Sequence, residues 1–180
     1  MLLLNVCCAP CCLPLLEPAG RDLTIFFDGP NLAPAEEYDR RLAATKKVAE
    51  LYQLPFLTGQ YDHDAWLKYV GGQLARPAAE YAENSERCRA CFKFRLQRTA
   101  FLAKERGFDG FATTLSVSRH KDVPFINQYG RELADKLWLK YRTFDLDPRQ
   151  ADQQGRDLCR QHGIYRQKYC GCEFSIASGA

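Results

Sequence analysis

The sequence predicts an α/β fold, in which a mostly parallel sheet is flanked by helices. Short apolar runs that are typical of buried strands alternate along the chain with longer segments of helical periodicity. Dense turn signals, such as Asp28-Gly29-Pro30-Asn31, separate the two kinds of segment. The chain has 180 residues, of which 46% are hydrophobic and 26% are charged. That length and composition predict a single domain over residues 1–180.

The first part of the chain contains three predicted strands and two predicted helices. Leu2 to Val6 and Leu23 to Phe27 are continuous apolar runs, and Phe56 to Thr58 is a shorter one. Pro34 to Gln53 has apolar residues at helical spacing, with acidic residues near its start and lysines later. Asp64 to Val70 is predicted as a short helix.

The second part continues the alternation. Its predicted strands are Phe111 to Leu115 and Tyr141 to Leu146, and its predicted helices are Cys88 to Arg106, Pro124 to Leu137 and Arg149 to His162. A linker-like stretch, Gly71 to Ser85, precedes the first of these helices. The last helix is followed by a cysteine-bearing C-terminal tail.

One rim of the predicted sheet collects the residues that carry chemistry. In open parallel sheets, ligands bind beyond the carboxyl ends of the strands, near the point where the strand order reverses. This rule places Cys7 to Cys12, Asn31 and Thr113 to Ser118 on that rim.

The nine cysteines occur mainly in groups: Cys7, Cys8, Cys11 and Cys12; Cys88 and Cys91; Cys170 and Cys172; and Cys159 by itself. The longest uncharged apolar stretch, Met1 to Leu16, contains two prolines and has no basic segment before it. It therefore predicts neither a signal peptide nor a membrane span, and the cytoplasm is the expected compartment. Grouped cysteines in a reducing compartment favour metal ligation or redox catalysis.

Two of these groups predict a metal site. Cys88 and Cys91 fall at the start of a helix, three residues apart on one face, where backbone N–H groups stabilise thiolates or an anionic cluster. Cys7 and Cys8 follow the first strand, and Pro10 favours the turn that would bring both thiols to one centre. Four thiolates on one rim suit a [4Fe-4S] cluster or a structural Zn²⁺ site, and their spacing leaves both open.

The other cysteines have different predicted roles. Cys170-Gly171-Cys172 can close a small strained disulfide that passes two electrons, or can act as a further ligand pair. Cys12 and Cys159 are predicted to pack as small hydrophobic residues. Cys11 is intermediate, because it lies three to four residues from the predicted ligands and could face the same cavity.

Basic residues adjoin two of the cysteine pairs, although the net charge of the chain is only +3. On the predicted helix from Cys88 they are Arg87, Arg89, Lys93, Arg95, Arg98, Lys104 and Arg106. Near the last pair they are Arg160, Arg166 and Lys168, with Tyr165 and Tyr169 interleaved. Such runs are either solvated surface or a nucleic-acid footprint, and their position beside the cysteines favours nucleic acid.

A polar segment, Thr113 to Lys121, follows the fourth predicted strand. Its hydroxyl groups and cations indicate either a loop that binds substrate or phosphate, or a well-capped turn. The histidines, His63, His120 and His162, are far apart in sequence and are expected at the surface. Phosphate-binding glycine loops and zinc-protease motifs are absent from the sequence.

Five blocks together resemble a known family: NVCCAPC, PNLAPAEEYDRR, RCRACFKFRLQRTA, FATTLSVSRHKD and YRQKYCGCEFS. In order, they resemble the QueH-type epoxyqueuosine reductase family over Leu3 to Ser175. The resemblance implies a Rossmann-like fold similar to the adenine-nucleotide hydrolase-like group. It implies a two-electron reduction of the epoxide of epoxyqueuosine to give queuosine at the wobble position of tRNA, without cobalamin. The implied partners are this tRNA and an electron donor, while the oligomeric state is left open.

The resemblance also implies roles for individual residues. It implies that Cys7, Cys8, Cys88 and Cys91 bind a [4Fe-4S] cluster and that Cys170 and Cys172 are redox-active. It further implies a second iron beside the cluster, with Cys11 as its candidate ligand, so that Cys170, Cys172 and Cys11 are the candidate catalytic residues. The candidate substrate-binding residues are Asn31, Thr114, Ser116, Ser118, Lys121, Arg95 and Arg166.

Two other interpretations remain at this point. A zinc-stabilised RNA-binding module would use Cys7, Cys8, Cys88 and Cys91 as a structural site. A thiol–disulfide oxidoreductase would use Cys170/Cys172 on protein substrates without a metal.

Overall fold

A five-stranded sheet forms the centre of the computed structural model, which describes residues 1–118 and 120–177. The strands are β1 (Leu2–Val6), β2 (Leu23–Phe27), β3 (Phe56–Thr58), β4 (Gly110–Thr113) and β5 (Lys140–Tyr141). All neighbouring strands are parallel, in the order β3-β2-β1-β4-β5. This arrangement confirms the predicted α/β class, and the strand order reverses between β1 and β4, as in Rossmann-like sheets.

Seven α-helices connect or follow the strands within the described residues. They are α1 (Ala9–Ala19), α2 (Ala35–Tyr52), α3 (His63–Gly72), α4 (Glu86–Glu105), α5 (Val123–Leu137), α6 (Pro148–Gln161) and α7 (Glu173–Ala177). Single 3₁₀ turns occur at Ala78–Glu80 and Thr114–Val117. None of the described helices has both the length and the apolar character that a membrane span needs.

The sheet is covered on both faces because successive side chains of a strand point to opposite sides. Leu4 and Val6 of β1 belong to one apolar core, which α1, α2 and α6 cover. Leu3 belongs to a second core on the other face, which α4 and α5 cover. Cys12 and Cys159 both lie in the first core, as predicted for cysteines that pack as small hydrophobic residues.

Helix α1 was not predicted, because its sequence contains several prolines. Pro10 occupies the first turn, where a backbone N–H has no partner within the helix, so it is compatible with a helix start. Pro14 and Pro18 lie inside the helix, where proline removes a hydrogen bond. The leucines Leu13, Leu15 and Leu16 are buried in the first core, and this packing holds the segment helical despite its prolines.

Two predicted strands are shorter than expected. The strand predicted from Phe111 to Leu115 ends at Thr113, because the Thr113 hydroxyl accepts a hydrogen bond from the Leu115 backbone N–H at 3.1 Å and starts the 3₁₀ turn. The strand predicted from Tyr141 to Leu146 has only two residues, Lys140–Tyr141. Phe144 and Leu146 pack against the first core instead of extending the sheet edge.

The predicted helices are confirmed with small shifts at their ends. Helix α4 begins at Glu86, two residues before the predicted start, so Cys88 lies within its first turn. Helix α3 begins after Asp62, whose side chain accepts a hydrogen bond from the Ala65 backbone N–H at 2.9 Å. Helix α7, in the cysteine-bearing tail, was not predicted.

Candidate active site at the switch point of the sheet

A cleft of about 320 Å³ opens at the carboxyl ends of β1 and β4, where the strand order reverses. Three thiols line it from the segment after β1: Cys7, Cys8 and Cys11. The segment after β4 contributes Thr114, Ser118 and Lys121, and the tail contributes Arg166, Tyr169 and Cys170. The cleft therefore occupies the place at which sheets of this kind bind their ligands.

Three thiols, those of Cys7, Cys8 and Cys11, lie close together at the start of α1. Cys8 has extended backbone and occupies the N-cap position without a side-chain capping hydrogen bond, while Cys11 is in the first helical turn. A hydrogen bond from the Cys7 thiol to Cys8, together with burial, raises the pKa of Cys7. The hydrogen bond from Cys8 to Cys11, with burial, raises the pKa of Cys8 to about 12, although Cys7 acts in the opposite direction. The thiols of Cys7 and Cys8 are therefore protonated near neutral pH.

The start of α4 brings two more thiols. The sulfur of Cys88 accepts a hydrogen bond from the Asn84 backbone N–H at 3.2 Å, and burial raises the pKa of this thiol. Cys88 packs against the same apolar cluster as Cys7 and Cys8. Burial raises the pKa of Cys91 to about 12, and the nearby charge of Arg95 acts in the opposite direction.

The tail places its two cysteines differently. Cys170 lines the cleft, and its sulfur lies 3.8 Å from the Nζ of Lys121. Cys172 is buried in a third apolar cluster with Trp66 and Val70 of α3, against which Cys91 also packs. The segment thus presents one thiol to the cleft and keeps the other beneath it.

Two cations lie among these sulfur atoms. Arg95 is buried, and its guanidinium donates to the Asn5 side-chain oxygen at 3.4 Å. Burial lowers the pKa of Arg95, but the thiolates that Cys7 and Cys91 form at high pH more than offset this and leave its pKa raised. Lys121 is half-buried, and Cys170 and Cys7 likewise outweigh burial and raise its pKa. Both side chains are therefore positively charged beside thiols.

The donor chemistry fits an anionic iron–sulfur group. Among residues 1–118 and 120–177, no three Cys, His, Asp or Glu side chains are already arranged around a metal position. The four predicted ligands nevertheless come from two helix starts on one rim, and the Nε of buried Arg95 has no hydrogen-bond partner in the described part of the chain. Asp28 contributes a favourable negative charge to Arg95, and a negatively charged cluster would add to it, because buried positive charge needs negative charge nearby.

The predicted substrate-binding residues divide into two groups. Thr114, Ser118, Lys121 and Arg166 line the cleft. The other three lie outside its lining: the Ser116 hydroxyl donates to the Thr113 carbonyl at 3.0 Å, Asn31 is buried after β2, and Arg95 is beneath the thiols. Arg119, in the same predicted polar loop, lies outside the described residues.

Helix α4 does not present the basic face that its sequence indicates. Arg87 and Arg95 are buried, Arg89 pairs with Asp122 at 2.7 Å, and Arg98 pairs with Asp28 at 2.9 Å. These guanidiniums therefore already contact protein groups, although Arg89 is half-exposed, and binding of phosphate along this helix stays a prediction. Lys104 and Arg106 are exposed, but they lie at the end of α4 opposite its cysteines.

His63 is partly buried and not fully at the surface: its side chain is 20% exposed. Its Nδ1 lies 2.8 Å from the Pro30 carbonyl oxygen, and its ring stacks on Trp66 with centroids 5.2 Å apart. Its Nε2 lies 3.4 Å from a carboxylate oxygen of Glu173 in the tail. His63 thus joins the loop after β2 to the tail.

Two functional candidates were missed in the sequence, Glu37 and Arg41 of α2. Both are almost completely buried, and the Arg41 guanidinium donates to the backbone carbonyl oxygen of Cys170 at 3.0 Å. Opposite charges four residues apart near a helix start were visible in the sequence. Their burial against the tail was not, since it depends on a segment more than a hundred residues away.

Comparison with known proteins gives one consistent result. A family model described as "Epoxyqueuosine reductase QueH" matches residues 2–178. An epoxyqueuosine reductase QueH of Thermotoga maritima is 37% identical over 174 residues, which cover 97% of this chain and 89% of the relative. The proteins of the same name from Streptococcus pyogenes and Histophilus somni are each 34% identical; the matches cover 97% of this chain and 69% and 72% of the relatives.

Proposed function

Because this chain belongs to the epoxyqueuosine reductase QueH family, we propose that it reduces epoxyqueuosine to queuosine in tRNA by means of a [4Fe-4S] cluster and a cysteine dithiol. The proposed cluster ligands are Cys7, Cys8, Cys88 and Cys91. The observation that carries this proposal is the convergence of thiols and Lys121 in one cleft at the switch point of the sheet. That cleft is where the fold class binds its ligands.

The reaction needs two electrons and two protons, and it releases the epoxide oxygen as water while a carbon–carbon double bond forms. Oxidation of the Cys170/Cys172 dithiol to a disulfide supplies two electrons and two protons, so the two half-reactions balance. When bound, the cluster would supply single electrons to the same site, and a second iron at Cys11 is the proposed additional centre. An electron donor must then reduce the disulfide for the next turnover.

Residues around the cleft have the chemistry to bind and orient the substrate. Lys121 carries a positive charge into the cleft and donates a hydrogen bond to the oxygen that leaves the epoxide, where negative charge develops. Thr114 also lines the cleft, and its hydroxyl is buried there without a hydrogen-bond partner within the described ranges. Arg166 is exposed at the mouth and is placed to contact an RNA phosphate.

The test is anaerobic reconstitution with iron and sulfide, followed by assay on tRNA that carries epoxyqueuosine. We expect a brown protein that forms queuosine. A Cys170→Ser variant should keep the visible absorption of the cluster and lose turnover. A colourless protein that retains only zinc would favour the structural-zinc interpretation, and a fully active Cys170→Ser variant would remove the dithiol from the reaction. Reduction of a model disulfide by metal-free protein would instead support a thiol–disulfide oxidoreductase.

A further inference from the structure

The segment that carries Cys170 and Cys172 is held by side chains of α2. Residues 162–172, between α6 and α7, form no helix or strand. One guanidinium, that of Arg41, donates to two consecutive carbonyl oxygens of this segment: Nη2 to Tyr169 and Nη1 to Cys170, each at 3.0 Å. The same guanidinium lies over the Tyr169 ring, 5.4 Å from its centroid.

Arg41 is itself held in place by Glu37, one helical turn earlier. The Nε of Arg41 donates to one carboxylate oxygen of Glu37 at 2.7 Å, and the Tyr165 hydroxyl donates to the other at 2.8 Å. Glu37 is completely buried and Arg41 is 1% exposed. Hydrogen bonds from the Arg41 guanidinium therefore hold the tail against α2, and the Glu37 carboxylate both orients that guanidinium and accepts a hydrogen bond from the tail.

The loop before α2 adds a third tie. The Ala33 backbone N–H donates to the Gly171 carbonyl at 2.8 Å, and the Tyr169 hydroxyl donates to the Ala33 carbonyl at 2.6 Å. Gly171 has φ +128, a conformation that side chains rarely adopt, and a Cβ there would overlap Leu32 and lie 2.9 Å from Arg41 Nη1. The turn between the two cysteines can therefore pack this closely against Arg41 only because residue 171 is a glycine.

We propose that Arg41, oriented by Glu37, is a positioning residue for the reductase: it holds the Cys170-Gly171-Cys172 turn so that Cys170 faces the cleft and Cys172 remains buried. This inference rests on the proposed function of that dithiol. Two parallel hydrogen bonds from one planar group fix both position and orientation, which a lysine ammonium at the same place cannot do. Arg41 thereby controls where a thiol pair on an irregular segment meets the substrate.

The main test compares Arg41→Lys with Arg40→Lys, in the full chain before and after reconstitution with iron and sulfide. Arg40 is the matched control, because it is adjacent and also pairs with Glu37, at 3.0 Å, but is exposed to solvent. The readouts are the alkylation rates of Cys170 and Cys172, followed by mass spectrometry, together with kcat and KM on tRNA. For Arg41→Lys we expect alkylation of Cys172 to accelerate about tenfold or more and kcat to fall by a similar factor, with little change in KM. Arg40→Lys should behave like the unaltered chain.

A second variant perturbs the same contact from the tail side. Gly171→Ala leaves Arg41 and Glu37 intact but forces the turn away from the guanidinium, so it should also expose Cys172 and lower kcat. If circular dichroism and thermal unfolding show that Arg41→Lys does not fold, Gly171→Ala alone tests whether the contact with Arg41 protects Cys172. A folded variant in which the protection of Cys172 is unchanged overturns the proposal, whatever its kcat. The alkylation measurement is independent of turnover, so it distinguishes this outcome from failure of the dithiol mechanism, which the Cys170→Ser assay reports.

Discussion

The side chains of Arg95 and Lys121 lie beside sulfur atoms, and this placement explains much of the site's chemistry. A buried or half-buried cation is stable only when negative charge or hydrogen-bond acceptors surround it. Neutral thiols supply little of either, and burial raises the pKa of Cys91 to about 12, so the thiol does not ionise by itself near neutral pH. Metal binding deprotonates its thiol ligands, and the resulting negative charge would be balanced by the two cations.

A Cys88→Ala variant tests whether Cys88 is a ligand of the proposed cluster. We expect it to lose most of its iron and the broad visible absorption, because the thiol at the start of α4 is replaced by a methyl group. Cys159→Ala is the matched control, since Cys159 is buried in the other core and is predicted only to pack. The measurement is iron content per chain after anaerobic reconstitution. Equal iron in the two variants would remove Cys88 from the ligand set.

Among the elements, the contact of α1 with α6 determines where the first cysteine group lies. Gly155 of α6 faces the Pro10 carbonyl so closely that a Cβ would overlap its oxygen and lie 3.1 Å from its carbon. Helix α1 therefore approaches α6 at the level of its first turn, which also contains Cys11. The absence of a side chain at residue 155 allows this approach.

Gly155→Ala should consequently destabilise the protein by about 1–3 kcal/mol, because the added methyl group forces two packed backbones apart. Gly71→Ala on α3 is the control: nothing lies within 4 Å of its added Cβ, so it should be neutral or stabilise the helix by about 0.5–1 kcal/mol. Urea unfolding measures both changes. Equal stability of the two variants would show that the α1–α6 contact tolerates a wider separation.

For the whole molecule, the distribution of positive charge matters more than its total. With a net charge of only +3, binding to RNA depends on where cations remain exposed. Several α4 cations contact protein groups, whereas Arg166 and Lys168 line the mouth of the cleft and are exposed. The tail is therefore the better candidate for contact with tRNA.

Replacement of Arg166 and Lys168 by alanine should weaken binding of an anticodon stem–loop RNA and reduce the slope of log affinity against log salt by about 1.4, the value expected for two single-strand phosphate contacts. The Lys104→Ala/Arg106→Ala double variant removes the same charge from the far end of α4 and should bind like the unaltered chain. Fluorescence anisotropy at several salt concentrations measures both. The assignment is wrong if the α4 variant loses affinity and the tail variant does not.

Local patterns in the sequence determined the fold class, most elements and the grouping of the cysteines. Apolar runs and helical periodicity depend on neighbouring residues, so β1 to β4 and α2, α4 and α5 were predictable with small errors at their ends, whereas β5 is much shorter than predicted. The rule that ligands bind at the carboxyl ends of parallel strands also brought Cys7, Cys8 and Thr114 to one rim before their positions were known. Helix α1 escaped prediction because tertiary packing of its leucines outweighs its prolines.

Only the tertiary structure decided which cations face the cleft and what holds the tail. The direction of an arginine on α4 depends on the partner that other elements bring to it, such as Asp28 after β2 or Asp122 before α5. Likewise, nothing near Arg41 in the sequence indicates that its guanidinium binds the carbonyl of Cys170, 129 residues away. Sequence periodicity depends on neighbouring residues and therefore predicts local secondary structure. The position of a buried charge depends on contacts between distant segments, which form only when the chain folds.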